Sequence, residues 1–290
     1  MMDRYELETL WSKTLRRSHQ SEADIDNIAG AILEVLRNGD DRFVAHLSNR
    51  IKDICAKRGL DLPSDVFDLD RARLFLADEL GFPDWASLID SVEKPYKTPL
   101  IFKYAVAAME RGDFSSLEST IGGPASFHET IVGWYLQGYF DDEPETLAEV
   151  FSAACMLGHD RTAGFLLDKG VDPLAGMRTG LNGFHYAASS GRLSIVKLLI
   201  ARKVPMEVEN MYGGTVFGQA MWSAVNEYKP DHAAIVEALV EAGAVVDDGY
   251  QEWWAKQEVP DKATKERIAE LLKRYQKLHQ DPVGDRNENG

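Results

Sequence analysis

The amino-acid sequence predicts an all-α protein in which a helical N-terminal domain is followed by a solenoid of helix pairs with short hairpin loops and a C-terminal capping helix. Two observations lead to this prediction. Apolar residues recur every three or four positions over most of the chain, as they do on the buried face of an α-helix. In the second half of the chain a longer pattern repeats, as in proteins built from stacked copies of one helical unit.

The N-terminal third begins with amphipathic helices. Three segments carry apolar residues at helical spacing, residues 3–18, 21–38 and 40–58. The segment at residues 69–88 predicts two helices joined by a turn, because Gly81 can take the left-handed conformation that ends a helix and Asp84 can cap the next one. We expect Phe82 and Trp85 to pack back against these helices. Residues 1–94 are therefore predicted to form a helical domain.

A stretch with two prolines follows this domain. Pro95 and Pro99 lie within five positions of each other, which favours an extended linker over a helix. We place the second domain at residues 98–281. The last residues, 282–290, are polar and predict a flexible tail.

The second domain contains a repeated unit that is clearest at residues 179–205. Gly180 suits a turn, and the short helix after it carries Phe184 and Ala187. Gly191 ends this helix, and an aliphatic second helix follows. This order of parts resembles an ankyrin repeat. One repeat cannot bury its apolar face alone, so the resemblance predicts neighbouring copies.

Neighbouring copies are present on both sides. A step of 33 residues backwards from Ala187 reaches Ala154, and a step of 33 residues forwards from Phe184 reaches Phe217. Phe151 lies 33 residues before Phe184. We therefore expect Phe151, Phe184 and Phe217 to occupy equivalent places in consecutive helix pairs.

The third copy departs from the pattern. Ile235, in its second helix, lies 40 residues after Ile195 instead of 33, which predicts an insertion of seven residues near residues 226–230. Gly218 stands where ankyrin repeats usually have a histidine. In the second copy Asn182-Gly183 replaces the usual Thr-Pro, and residues 203–205 replace the usual Gly-Ala-Asp. These departures predict a short array that depends on its flanking helices.

Segments on both sides of the three copies complete the predicted domain. Residues 100–117, with a glycine at position 112, look like a degenerate first repeat, which brings the total to about four. Residues 262–279 predict an amphipathic helix that caps the far end of the array. The helix, Gly-Phe turn and Trp-helix of residues 69–88 are similar to a motif that often precedes ankyrin repeats in bacterial proteins.

The composition limits the class of partner and the compartment. A net charge of −15 argues against binding to the phosphate backbone of nucleic acids. No run of about 18 apolar residues occurs, and the first residues lack the apolar core of a signal peptide. Two cysteines, Cys55 and Cys155, are too few for a disulfide framework. We expect a cytoplasmic monomer that binds neither membranes nor nucleic acids.

The sequence shows no catalytic, cofactor or metal motif. The seven histidines do not pair with each other or with the cysteines at metal-ligand spacing. Gly122-Gly123 and Gly213-Gly214 lack the context of a phosphate-binding loop, so we interpret them as turns. The ankyrin resemblance implies that His185 bonds to the backbone of a neighbouring loop.

The resemblance also implies a function, namely binding of a protein partner without catalysis. Ankyrin proteins bind partners through the hairpin tips and the concave surface of the first helices. Carried onto this sequence, the partner-binding positions are Met156, Leu157, Arg178, Thr179, Leu181, Ser189, Ser190, Met211, Tyr212 and Trp222. Exposed apolar and aromatic side chains among them would form a binding stripe.

Two alternatives remain open at this point. The chain could be an enzyme or an enzyme accessory whose active residues lie in the N-terminal domain or in the insertion at residues 113–146. It could also be a small-ligand sensor that uses the aromatic residues between Trp134 and Phe140. A cleft of converging polar groups would favour the enzyme, and an apolar pocket lined by those aromatics would favour the sensor.

Overall fold

The structure, a computed structural model, describes residues 4–17, 20–38, 41–60, 67–93, 99–141, 143–176, 179–247 and 249–280. The described residues form sixteen α-helices and contain no β-strand, so the predicted all-α class is confirmed. Their contacts divide the chain into two units, Met1–Asp142 and Glu143–Gly290. The predicted boundary at residues 94–98 and the predicted tail at residues 282–290 lie outside the described residues.

The first unit contains eight of these helices. They are α1 (Arg4–Leu15), α2 (Glu22–Asn38), α3 (Asp41–Lys57), α4 (Leu69–Glu79), α5 (Trp85–Glu93), α6 (Leu100–Glu110), α7 (Phe114–Thr120) and α8 (Pro124–Leu136). Helix α2 lies at the centre, in contact with α1, α3, α4 and α5. Its predicted apolar face is fully buried at Ile25, Ile28 and Ile32, which makes this helix the core of the unit.

The turn between α4 and α5 forms as the sequence predicts. Gly81, two residues after the last residue of α4, has φ +78°, in the left-handed region that follows a helix end. The amide of Ser87 donates to Asp84 Oδ1 at 2.7 Å, so Asp84 caps the start of α5. The Arg73 guanidinium lies 5.2 Å from the ring centroid of Trp85, which gives that ring a structural contact.

Helices α6, α7 and α8 belong to the first unit, where α6 contacts α4 and α7 contacts α1. The aromatic residues predicted as a possible ligand pocket pack around Phe102. Its ring centroid lies 5.2 Å from that of Trp134, 5.5 Å from that of Tyr139 and 5.1 Å from that of Phe140, all in edge-to-face orientation. Because Phe102, Trp134 and Phe140 are also buried, these rings form a core and fill the space between α6 and α8.

The second unit contains the other eight helices. They are α9 (Pro144–Leu157), α10 (Asp160–Asp168), α11 (Gly183–Ser189), α12 (Leu193–Ala201), α13 (Val216–Asn226), α14 (His232–Glu241), α15 (Gly249–Lys256) and α16 (Lys262–Gln280). Helices α9 to α14 form three consecutive pairs. The first helices of the pairs stack in the order α9, α11, α13, and the second helices stack in the order α10, α12, α14.

The three predicted phenylalanines occupy equivalent places in these pairs. Phe151, Phe184 and Phe217 lie on α9, α11 and α13, and each is at most 1 % exposed. Gly183 allows the first two pairs to approach closely, since a β-carbon at this position would lie 2.6 Å from the Phe151 ring. The prediction that consecutive pairs are like units is confirmed.

The insertion in the third pair has two parts. Compared with α11, helix α13 is one turn longer and ends at Asn226. A loop at residues 227–231 then leads to α14. The extra residues therefore lengthen the end of α13 and the loop after it, and α13 and α14 still form a pair.

The far end of the array is covered by α15 and α16. Helix α16 packs on α14 and α15 and buries the apolar face that the sequence predicts, at Ile268, Leu271 and Leu272. The Trp254 indole Nε1 donates to the carbonyl oxygen of Lys265 at 3.0 Å and joins the two capping helices. The cap buries an apolar side that the third pair would otherwise expose.

Candidate functional site

Two of the first helices begin at side-chain caps that lie 33 residues apart. The Asn182 Oδ1 accepts hydrogen bonds from the amides of Phe184 (3.0 Å) and His185 (3.1 Å) at the start of α11. The Thr215 Oγ1 accepts from the amide of Gly218 (3.2 Å) at the start of α13. Asparagine and threonine are both effective caps, so the unusual Asn182 preserves the helix start that the family pattern supplies with threonine.

The loop between the second and third pairs is closed by Asn210. Its backbone amide donates to the carbonyl oxygen of Gly214 at 2.9 Å, and its side-chain Oδ1 accepts from the backbone amides of Tyr212 (2.9 Å) and Gly214 (3.0 Å). The amide of Met211 donates to the carbonyl oxygen of Gly180 at 3.0 Å, which links this loop to the preceding one. Met211 and Tyr212 are thereby held at a defined loop tip.

His185 joins a first helix to the next loop, as the resemblance implies. Its Nδ1 lies 2.8 Å from Asn182 Oδ1, and its Nε2 lies 3.1 Å from the carbonyl oxygen of Gly214. The side chain is fully buried, and burial lowers its pKa. Both ring nitrogens have structural neighbours, so this histidine holds the array together.

A second set of bonds joins neighbouring pairs at the other end of the first helices. The Arg192 Nε donates to the carbonyl oxygen of Met156 at 2.9 Å. One pair later, the amide of Lys229 donates to His232 Nδ1 at 3.1 Å, so Nε2 carries the proton and donates to the carbonyl oxygen of Ser189 at 3.0 Å. His232 lies 40 residues after Arg192 and Ser189 lies 33 after Met156, so these are equivalent contacts across the insertion. The carbonyls of Met156 and Ser189, near the ends of α9 and α11, thus bind neighbouring pairs together.

The predicted partner-binding residues differ in exposure. Tyr212 is 78 % exposed, Met211 64 % and Trp222 47 %. Ser189 is buried, and its hydroxyl donates to the carbonyl oxygen of Tyr186. Five others are half-buried: Met156, Leu157, Thr179, Leu181 and Ser190. Arg178 lies outside the described residues.

The exposed members of the set all belong to the third pair. Met211 and Tyr212 lie in the loop before α13, and Trp222 lies on α13 itself. Trp222 lies six positions after Val216, the first residue of α13, which is about 9 Å along the helix axis. The structure therefore presents apolar side chains at the loop tip and on the helix that follows it.

The glycine that replaces the usual histidine in the third pair has a clear structural reason. A β-carbon on Gly218 would lie 2.7 Å from the Tyr250 hydroxyl oxygen. The Tyr250 ring, from the capping helix α15, also packs edge-to-face on Phe217 with centroids 5.0 Å apart. The capping helix thus takes the space next to Gly218.

Among the described residues of the second unit, one exposed large apolar residue was missed by the sequence analysis. Val245, in the loop after α14, is 63 % exposed, and its amide donates to Glu207 Oε1 at 3.0 Å in the preceding loop. Its only signal in the sequence is its place just after Gly243-Ala244, at the start of a loop. Glu207 and Glu209 are exposed and lie four and two residues before Met211, so acidic side chains accompany the apolar ones in this loop.

Among the described residues, no group of three or more histidine, cysteine or acidic side chains could hold a metal ion. No helix in the described ranges combines the length and the apolar character needed to cross a membrane.

Comparison with models of known protein families matches residues 150–249 to ankyrin repeats, in three copies. No curated protein matches the chain. The matched region begins within α9, at residue 150, and extends through α14 to the first residue of α15.

Proposed function

Residues 150–249 of this chain are ankyrin repeats, and we propose that they bind a protein partner chiefly through Met211, Tyr212 and Trp222 of the third repeat. Ankyrin repeats are in general protein-interaction modules. The observation that carries the proposal is the exposure of these three large side chains in a unit whose other phenylalanine, tryptophan and methionine residues are buried or half-buried in the described part. Exposed apolar patches are typical of interaction surfaces.

The placement of these residues indicates how a partner would bind. Aromatic side chains dominate the energetics of protein interfaces, so Tyr212 and Trp222 are the expected anchors. Met211 has a flexible, polarisable side chain that adapts to a partner surface. A partner segment that contacts the loop tip and then runs along α13 would meet all three.

The proposed role needs no catalysis. The histidines of the repeats with a lowered pKa, His185 and His232, are buried and hydrogen-bonded to loop and helix backbone. We assign them to the assembly of the repeats. We also propose that the protein is a cytoplasmic monomer. The two buried free cysteines, Cys55 and Cys155, support the compartment, since thiols stay reduced there.

A capture experiment with matched variants tests the binding proposal. The full chain and a variant with Met211, Tyr212 and Trp222 replaced by serine are used as bait in extract of the source cells, and bound proteins are quantified by mass spectrometry. A specific partner should be lost by about tenfold or more in the triple variant, since loss of interface anchors costs about 2 kcal/mol or more.

Leu136→Ser provides the control, because Leu136 is 71 % exposed and lies in the first unit. This variant should keep the partner. All variants are checked by thermal unfolding, which exposed substitutions should barely change. If the folded triple variant retains every protein that the unaltered chain captures, the third repeat is not the binding surface.

A further inference from the structure

The electric charge of the repeats is divided unevenly. Residues 150–203, in the first two repeats, contain seven basic and three acidic residues, a net charge of +4. Residues 204–255 contain nine acidic residues and one lysine, a net charge of −8, which is about half of the −15 of the whole chain. Solubility depends on the total charge and does not require such a division. The negative charge is thus concentrated around the third repeat.

Two of the carboxylates lie in the loop that carries Met211. Glu207, Glu209 and Met211 are exposed, whereas Val208 and Asn210 between them are half-buried and buried. Side chains of an extended segment point alternately to opposite sides. Glu207, Glu209 and Met211 therefore lie on one side of the loop, and a rise of about 3.3 Å per residue places each about 7 Å from the next.

A third carboxylate lies in the next loop. The amide of Val245 donates to Glu207 Oε1 at 3.0 Å, which joins the two loops. Burial raises the pKa of Tyr250, and the negative charges of Asp247 and Glu207 raise it further, so both carboxylates lie near its hydroxyl. Asp247 is itself exposed. The two loops thus bring Asp247 to the side of the array where Glu207 lies.

These three carboxylates are not neutralised within the described part of the protein. Among the described residues, Glu207, Glu209 and Asp247 form no ion pair with a lysine or arginine side chain. The cause is visible in the sequence, because Lys229 is the one basic residue between positions 204 and 255. A negative potential therefore remains at the loops and reaches over about 8 Å at physiological salt. It attracts a positively charged partner and repels a negatively charged one.

The exposed aromatic rings attract cations independently of the carboxylates. Tyr212 and Trp222 are both exposed. The face of an aromatic ring carries partial negative charge and binds the guanidinium group of arginine or the ammonium group of lysine. Two unrelated features of this surface therefore favour the same groups on a partner.

From these features we propose that the partner of the third repeat is a basic segment of a protein, in which lysine or arginine residues alternate with large apolar ones. Its apolar side chains pack on Met211, Tyr212 and Trp222. Its cationic groups pair with the three carboxylates and lie on the exposed aromatic faces. This inference rests on the proposed function and adds the chemical class of the partner. Nucleic acids and anionic membrane surfaces are repelled by the same charge.

Three short peptides of matched length test the class of partner. In the basic peptide, arginine alternates with leucine or tryptophan, and in the neutral and acidic peptides glutamine and glutamate take the place of arginine. Binding of each rhodamine-labelled peptide to the full chain is measured by fluorescence anisotropy. We expect the basic peptide to bind with a dissociation constant on the order of 100 μM, the neutral peptide about tenfold more weakly, and the acidic peptide about tenfold more weakly again.

A variant with the three carboxylates neutralised locates the attraction. Glu207→Gln, Glu209→Gln and Asp247→Asn keep the shape of each side chain, and an amide oxygen can still accept from the backbone amides of Val245 and Gly249. This neutralised variant should bind the basic peptide about tenfold more weakly and the neutral peptide as tightly as the unaltered chain does. Raising the salt from about 50 mM to about 500 mM should weaken binding of the basic peptide about tenfold in the unaltered chain and about twofold in the neutralised variant.

The matched control removes the same amount of charge elsewhere in the unit. Glu258→Gln, Glu266→Gln and Glu270→Gln change three exposed residues on and just before the capping helix α16. The control variant should bind the basic peptide within about twofold of the unaltered chain, because screening limits the reach of exposed charges. Circular dichroism of each variant confirms the fold before binding is measured.

Five results would overturn the proposal. Two concern the peptides: failure of the basic peptide to bind, and binding of the neutral peptide as tight as that of the basic one. Two concern the variants: equal binding of the basic peptide by the neutralised variant and the unaltered chain, and equal weakening in the control variant. The fifth is self-association of the unaltered chain that the neutralised variant loses, measured by light scattering, since a second copy would then be the occupant.

The proposed function is tested separately by the variant in which Met211, Tyr212 and Trp222 are replaced by serine. If the neutral peptide binds as tightly as the basic one and the serine variant loses both, the third repeat is a binding surface and only the basic class of partner is wrong. If the serine variant binds the basic peptide as tightly as the unaltered chain does, the proposed function fails, and this inference fails with it.

Discussion

Gly183→Ala tests the close packing of the first two repeats. Gly183 starts α11, and a β-carbon built there would lie 2.6 Å from Phe151 Cε1, 2.9 Å from Phe151 Cδ1 and 3.0 Å from Cys155 Sγ. Contacts under 3.0 Å force the ring or the helix to move. Both contacted residues are fully buried on α9, so the interior of the array has to absorb the displacement.

The expected magnitude follows from two opposing effects. Overpacking of a close-packed core costs about 1–3 kcal/mol. Replacement of glycine by alanine in a helix stabilises by up to about 1 kcal/mol, and by less at the first helical position. We therefore expect Gly183→Ala to lower the free energy of unfolding by about 1–2 kcal/mol.

Gly164 supplies the matched control. It lies within α10, and a β-carbon there would meet no atom within 4 Å. Without a clash, only the higher helix propensity of alanine acts, so Gly164→Ala should raise the free energy of unfolding by about 0.5–1 kcal/mol. The two glycine substitutions should thus change stability in opposite directions.

Urea unfolding of the full chain, followed by circular dichroism, measures both effects. The transition of the repeat unit is analysed separately if the two units unfold apart. Phe151→Leu should cost about 1 kcal/mol less in the Gly183→Ala background than in the unaltered chain, because the smaller side chain vacates the space that the methyl needs. A Gly183→Ala variant as stable as Gly164→Ala would refute the packing argument.

Three other substitutions give further expectations. Gly218→Ala should lower the free energy of unfolding by about 1–2 kcal/mol, because the added methyl would lie 2.7 Å from the Tyr250 hydroxyl oxygen. Tyr250→Phe should restore much of this lost stability in thermal melts, and a double variant with no restored stability would contradict the contact. Burial lowers the pKa of His232, so the unfolded chain takes up more protons as the pH falls through about 6.5, and stability should be lost below that pH. Urea titrations should show a smaller loss for His232→Gln, and an equal loss would contradict this assignment. Glu79→Gln should cost about 2–3 kcal/mol of stability, since it leaves the guanidinium groups of Arg50 and Arg111 without their carboxylate, and the Glu79 side chain is only 13 % exposed. Glu8→Gln, in an exposed ion pair with Arg4, should change stability by less than about 0.5 kcal/mol in the same titrations. Equal effects of the two substitutions would refute this distinction.

The array could be predicted from the sequence because its contacts are local and recurrent. Phe151, Phe184 and Phe217 lie 33 residues apart, and each is buried on the first helix of its pair. The insertion was visible for the same reason, since it interrupts an otherwise fixed spacing. The capping face at Ile268 and Leu271 followed from helical spacing alone.

Features that join distant parts of the chain could not be predicted in this way. Gly218 was visible as a departure, but its reason lies in Tyr250, which comes from a capping helix 32 residues further on. The first unit also has a cavity lined by residues between Leu7 and Thr120, and no periodicity relates them. Trp134 and Phe140 looked like a possible ligand pocket because the sequence does not show that Phe102 fills the space between them.

The predicted degenerate repeat illustrates the limit of local patterns. Helices α6 and α7 are joined at Gly112, which has φ +70°, as Gly191 with φ +71° joins α11 and α12. The local geometry is thus the same in both places. Their helices nevertheless lie in different units, and the family match begins only at residue 150. The assignment of residues 98–142 to the array stays a proposal.

The lengthened connection between α13 and α14 offers a place to graft foreign sequence. The contact of His232 with the Ser189 carbonyl fixes where α14 begins, and the Lys229 amide orients the imidazole. A reporter peptide introduced after Glu227 would lie upstream of both contacts. An engineer could therefore display an epitope or a fluorescent tag at this point and keep the spacing of the stacked units unchanged.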